Sequence, residues 1–178
     1  MHDNTSNHKI VQEPKPQSQL LRGGRQSEAT AAYFVTKAIE GRHKLFENAH
    51  NAQLIVDSLA YARTSEWLKL LAFCVMPDHY HLLFVLLCKK SLSDVVGSIS
   101  KFTSARFIRN DGRCRQMWQE GFFDHRCRDV DDAIERINYI ENNPIRAGLV
   151  DRPELWAYSS ANPQWAGILD RKWYSDKT

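Results

Sequence analysis

The spacing of apolar residues changes several times along this chain, and each change marks an element. Ala31 to Lys37 is rich in β-formers and predicts a first strand. From Ala49 to about Arg63, Ala52, Ile55, Leu59 and Ala62 recur at helical spacing, with Asn48 placed to cap the helix. Trp67–Met76 and His79–Leu87 are apolar almost throughout and are parted only by Pro77-Asp78. So short a break predicts an antiparallel hairpin, and its two apolar runs predict strands central in a covered sheet. Ser93-Asp94 can cap a helix running to about Arg109, with Val95, Val96, Ile99 and Phe102 as its buried stripe. Phe122–Arg128 predicts a fourth strand, and Asp129 caps a third helix. That helix must stop near Asn143, because Pro144 disfavours helical geometry in the residue before it. The order predicts an α+β fold on the ferredoxin-like split βαβ plan. It is an antiparallel sheet with helices on one face, plus an extra C-terminal helix.

Polarity sets the expected boundaries. Residues 1–27 are polar and carry Pro14, Pro16, Gly23 and Gly24, which predicts a flexible N-terminal arm. Residues 28–160 hold the predicted elements and residues 161–178 form a C-terminal tail. A chain of 178 residues, 43% hydrophobic and 25% charged, fits one globular domain. No apolar run reaches the length of a membrane span, and the first residues contain no signal-peptide core. Cys74, Cys88, Cys114 and Cys127 form no close pair, which favours a reduced, cytoplasmic protein. Cys74 and Cys88 are expected to be buried thiols. The formal charge is only +3. Between Lys101 and Arg128, however, seven basic residues face three acidic ones, a surplus that suits a phosphate backbone.

The chemistry gathers around His79-Tyr80-His81. Strand side chains alternate, so both imidazoles face one way and Tyr80 the other. Two neutral imidazoles on a rigid strand begin a divalent-metal site. On the third helix the expected apolar stripe is Val130, Ala133, Ile134, Ile137 and Ile140, which puts Tyr139 on the far side from Val130. Asn143 stands four residues beyond Tyr139 on the same polar face, with Arg136 nearby. His79, His81 and the amide of Asn143 suit Mg²⁺ or Mn²⁺ with positions left open. A tyrosine beside such an ion is a candidate nucleophile toward a phosphodiester.

Several motifs follow one another in order. They are Tyr33-Phe34-Val35-Thr36, Met76-Pro77-Asp78-His79-Tyr80-His81-Leu82-Leu83 and Met117-Trp118-Gln119-Glu120-Gly121-Phe122-Phe123-Asp124-His125-Arg126. Tyr139-Ile140-Glu141-Asn142-Asn143-Pro144 and Tyr158-Ser159-Ser160 complete the series. With them the chain resembles the HUH-type single-tyrosine transposases, and among these the REP-associated tyrosine transposases of bacteria. The resemblance implies a metal-dependent endonuclease and strand transferase. It would act on single-stranded DNA beside hairpins of repetitive extragenic palindromes, through a 5′-phosphotyrosine link. By motif, Tyr139 is implied as nucleophile and His79, His81 and Asn143 as ligands of Mg²⁺ or Mn²⁺. Lys101, Arg106 and Arg126 are candidates for holding the hairpin. Trp118 and Phe122 would either stack on unpaired bases or pack in the core. A monomer is favoured with a dimer left open, in the bacterial cytoplasm at the nucleoid.

Two other readings stand beside this one. One is a DNA-binding regulator of the same fold that does not cut. The other is a zinc-stabilised domain using Cys114, Cys127, His125 and His79, for which the spacings are long and unpatterned.

Overall fold

The computed structural model describes residues 27–111 and 117–175; the arm and Cys114 therefore lie outside the described residues. The elements run β1 (Ala32–Ala38), α1 (Ala49–Thr64), β2 (Leu68–Met76), β3 (His79–Leu86), α2 (Leu92–Asp111), β4 (Phe123–Arg126), α3 (Val130–Glu141) and a single turn α4 (Asn143–Arg146). The capping residues do what their chemistry suggests. Asn48 accepts the His50 N–H at the start of α1, and Asp129 accepts the Asp132 N–H at the start of α3.

All pairings in the sheet are antiparallel, in the order β2-β3-β1-β4. β3 is thus inserted between β1 and β2, which is the split of the ferredoxin-like plan. Alternation along the strands divides the interior in two. Tyr33, Val35, Phe73, Val75, Tyr80, Leu82 and Phe84 form one core with α1 and α2. Phe34, Cys74, Met76, Leu83 and Val85 form the other with Ala133, Ile137 and Ile140 of α3. The extra helix therefore closes the face that α1 and α2 leave open. An irregularity between Leu70 and Ala72 resets the alternation of β2, so Leu70 joins the first core and Leu71 and Ala72 the second.

Three expectations need correction. First, β2 is not central: it is an edge strand that is buried all the same. The C-terminal segment covers it. Val75 N–H donates to Tyr158 O, Ser160 N–H to Phe73 O, and Asp170 N–H to Leu70 O; the indole of Trp156 donates to Val75 O. An Arg63–Asp170 ion pair at 2.9 Å ties the end of this segment to α1. Second, Cys88 is exposed, because β3 ends at Leu86 and the chain turns before it. Third, the buried side of α3 is turned from the expected stripe. Ile134 is exposed, while Asp132, Ala133, Ile137 and Ile140 are buried. The row Asp132, Arg136, Tyr139 and Asn143 borders that buried side rather than opposing it.

Candidate active site

β3 places His79 and His81 on the α3 face, at the end of the sheet where the β2–β3 turn lies. Both rings are held from behind. The Nδ1 of His79 sits 2.5 Å from the Asp78 carboxylate, and the Nδ1 of His81 lies 2.8 Å from Thr36 Oγ1. Thr36 is there because it faces His81 across the β1–β3 ladder. With Nδ1 tied on each ring, the two Nε2 atoms point at one another, 3.1 Å apart. Asn143 Nδ2 is also 3.1 Å from His81 Nε2, and rotating that amide by half a turn would bring its oxygen to the same place.

These three groups fit a hard or borderline divalent cation. A separation of 3.1 Å matches neighbouring ligands around a six-coordinate ion held at roughly 2.1 Å. His81 is 2% exposed, and its burial pushes its pKa well below the ordinary imidazole value, with His79 and then Arg42 adding to the effect. It is neutral, the form that ligates metals.

Tyr139 reaches the same point from α3. Its ring meets His81 edge-on at 5.4 Å and Phe34 at 5.8 Å. The Arg146 guanidinium lies 4.9 Å from the centre of the Tyr139 ring. A cavity of about 450 Å³ opens here, lined by Arg42, Lys44, Asp78, His79, Tyr139, Asn143 and Arg146. It is large enough for a nucleotide and strongly basic at its rim.

His79, His81, Tyr139 and Asn143 thus meet in one cleft. The other candidates do not join them. Lys101 and Arg106 lie on α2, across the sheet, and the Arg106 guanidinium stacks on Phe102 at 3.5 Å. Arg126 is opposite Tyr33 in the β1–β4 ladder and pairs with Glu28 at 2.5 Å. Trp118 is 6% exposed in the first core, and its indole donates to Ser100 O and Thr103 Oγ1. Of the two roles open to it, the structure places it in packing. Phe122 also packs, half-buried, against that core. Sequence reading missed Thr36, Arg42 and Arg146, and took Asp78 only for a turn residue. Strand register and loop path bring them in. The nearness of Asp78 to His79 and of Arg146 to Asn143 was visible in the order of residues.

His125, Cys127 and Asp132 form a second cluster, with one ligand atom from each within 4.8 Å of the others. Asp132 is already engaged there. Its carboxylate meets His125 Nε2 at 2.8 Å and Arg136 Nε at 3.3 Å, and accepts the Arg128 N–H. Burial raises the pKa of its carboxyl, but the bonds to His125 and Arg128 outweigh this and hold it well below the usual carboxylate range. The cluster fastens the start of α3 to β4 and so helps fix the helix that carries Tyr139. His79 is not among its members.

Comparison with known proteins agrees with this architecture. A Haemophilus influenzae protein provisionally named a REP-associated tyrosine transposase is 29% identical over 143 residues, covering 72% of this chain and 78% of the relative. The REP-associated tyrosine transposase of Escherichia coli K12 is 27% identical over 108 residues, covering 60% of this chain and 63% of its own. The solved structure of a REP-associated tyrosine transposase bound to a REP hairpin superposes with a TM-score of 0.61 at 21% identity. It covers 84% of this chain and 88% of that one, and shares the fold. Residues 29–143, from the lead-in to β1 to the asparagine at the cleft, match the model of the IS200-like transposases, the family to which this chain belongs.

Proposed function

We propose that this transposase is a metal-dependent single-strand DNA endonuclease and strand transferase that works beside DNA hairpins through a covalent 5′-phosphotyrosine. The observation that carries the reading is the convergence of His79 Nε2, His81 Nε2 and the Asn143 amide next to the Tyr139 ring. Tyr139 Oη attacks a backbone phosphorus, the bond from phosphorus to the 3′ oxygen breaks, and that oxygen leaves as a 3′-hydroxyl after taking a proton. The 5′ phosphate stays on the tyrosine, which has lost its own proton. Reversal of the step joins strands. His79, His81 and Asn143 would hold Mg²⁺ or Mn²⁺, which supplies charge stabilisation to the phosphate under attack. Asp78 and Thr36 fix the ring orientations, as groups behind metal-binding histidines commonly do. Phe34 and His81 restrict where the Tyr139 ring can lie, so the hydroxyl is positioned before DNA arrives.

The hairpin preference rests on the fold shared with a transposase solved on a REP hairpin. A single chain contains every residue invoked, which supports a monomer as the working unit. Among the described residues no helix is long and apolar enough to cross a membrane; action at the bacterial nucleoid is part of the proposal.

The test is a covalent adduct. Wild-type protein is incubated with end-labelled hairpin oligonucleotides bearing unpaired flanks, with Mg²⁺ or Mn²⁺, then denatured and run on a gel. A labelled protein band is expected, and chelation or Tyr139→Phe should remove it. Absence of the band across flank sequences and metals would leave a DNA-binding protein that does not cut. Its persistence in Tyr139→Phe would move the nucleophile elsewhere.

A further inference from the structure

Two arginines frame the cleft from opposite sides, and neither is used by the chemistry above. Arg42 lies on the loop after β1. That loop is pinned to the β2–β3 turn, because Ile39 N–H donates to Asp78 O and Phe46 N–H to Pro77 O. Gly41 and Arg42 stand in the left-handed region, with φ of 63° and 55°. The glycine adopts that conformation freely; the arginine does so at a cost of about 1 kcal/mol. The strained backbone points the Arg42 guanidinium into the cleft, where it stays 45% exposed and lies 3.4 Å from Asp78 Oδ2. Asp78 is held more closely by His79, at 2.5 Å, so Arg42 can exchange its 3.4 Å contact with Asp78 for a phosphate. Arg146 comes from α4, three residues after Asn143, and lies 4.9 Å from the centre of the Tyr139 ring. Both arginines line the same 450 Å³ cavity as His79 and Tyr139.

We propose that Arg42 and Arg146 form a phosphate clamp across the cleft. Arg146 takes the phosphate that Tyr139 attacks, and Arg42 takes a neighbouring phosphate of the same strand. The ligand set His79, His81 and Asn143 carries no negative charge, and the phosphate gains charge as the tyrosine oxygen adds to it. A planar guanidinium beside the nucleophile offers two parallel N–H donors to that phosphate, a geometry a lysine cannot provide. The clamp rests on the reading of Tyr139 as nucleophile for its catalytic part, but its grip on the strand is measurable without cleavage.

The measurement is the salt dependence of binding by the full chain, in EDTA, to a fluorescent hairpin oligonucleotide with unpaired flanks. Each single-strand phosphate contact contributes about 0.7 to the slope of log affinity against log salt. Arg42→Gln and Arg146→Gln should each flatten the slope by about 0.7, and the double variant by about 1.4, while Arg→Lys at either position restores it. A neutral methylphosphonate linkage, moved one step at a time through the flanks, should flatten the wild-type slope by the same amount at two positions. That arm needs no variant to fold. Folded variants with unchanged slopes, or a methylphosphonate scan with no effect, overturn the clamp. The adduct assay run alongside separates the two readings. An adduct with unchanged slopes rejects the clamp and keeps Tyr139; flattened slopes without any adduct keep the clamp and reject cleavage.

Discussion

The two faces of β3 have opposite fates although their residues alternate one by one. Tyr80, Leu82 and Phe84 go into the core beneath α1 and α2, each 1% exposed or less. His79 and His81 go under α3, where polar groups hold their rings and a cavity opens beside them. Tyrosine shows the contrast best. Tyr80 is buried, its hydroxyl has no hydrogen-bond partner among the described residues, and burial pushes its pKa above the ordinary phenol value. Tyr139 is only half-buried and stands between His81, Phe34 and a guanidinium. One face supplies stability and the other supplies chemistry, and a single strand keeps them in fixed relation.

The sharpest way to break this contrast is to change adjacent residues of β3. Leu82→Ala should cost about 3 kcal/mol in urea unfolding, with adduct formation per folded molecule unchanged. His81→Ala should do the reverse. It should lower adduct formation by more than about 100-fold and shift stability by about 1 kcal/mol or less. Equal losses of stability and activity in both variants would dissolve the distinction between the faces.

A smaller effect comes from Lys37, the one charged side chain buried on the stabilising face among the described residues. Lys37 faces Tyr80 across the β1–β3 ladder, is 7% exposed, and donates to Gln119 O and Gly121 O at 2.5 Å each. Burial lowers its pKa to about 8, against the raising influence of Glu120 and Glu40. Between that value and the unfolded lysine value the unfolded chain binds a proton that the folded chain has released. Stability therefore rises with pH in that window. From pH ~7.5 to ~9.5, wild type should gain about 1–2 kcal/mol relative to Lys37→Met. Parallel unfolding curves for the two proteins would show that Lys37 is fully charged in the fold.

The smallest effect is the most pointed. Tyr80→Phe removes a hydroxyl that satisfies nothing, and should change stability by about 0–1 kcal/mol in the favourable direction. Adduct yield should stay at the wild-type level. Tyr139, 59 residues further along the chain, should lose the adduct entirely on the same substitution. Loss of activity in Tyr80→Phe would mean that the chemistry draws on both faces.

Much of this division was legible in the order of residues. The Asn48 and Asp129 caps, the Pro77-Asp78 break and the alternation of His79, Tyr80 and His81 are local features, and local physics settles them. The stripe on α3 was misjudged because exposed Ile134 is apolar and buried Asp132 is charged; only the partners of Asp132 on β4 and the neighbouring arginines explain its burial. Arg126 and Trp118 were legible as residue types suited to DNA, but not as residues on the other side of the sheet. Thr36 could not be joined to His81 without the register of β1 against β3. Arg42 could not be joined to the cleft without the left-handed step at Gly41.

The covering of β2 by residues from Trp156 to Asp170 has a consequence during synthesis. The strand leaves the ribosome some 80 to 100 residues before its cover, since its bonds join Val75 to Tyr158 and Leu70 to Asp170. Until then the nascent chain offers an open strand edge, the kind of surface that invites pairing with other chains. A message broken before the codon for Tyr158 would yield a polypeptide that still carries His79, His81, Tyr139 and Asn143, yet cannot hide that edge.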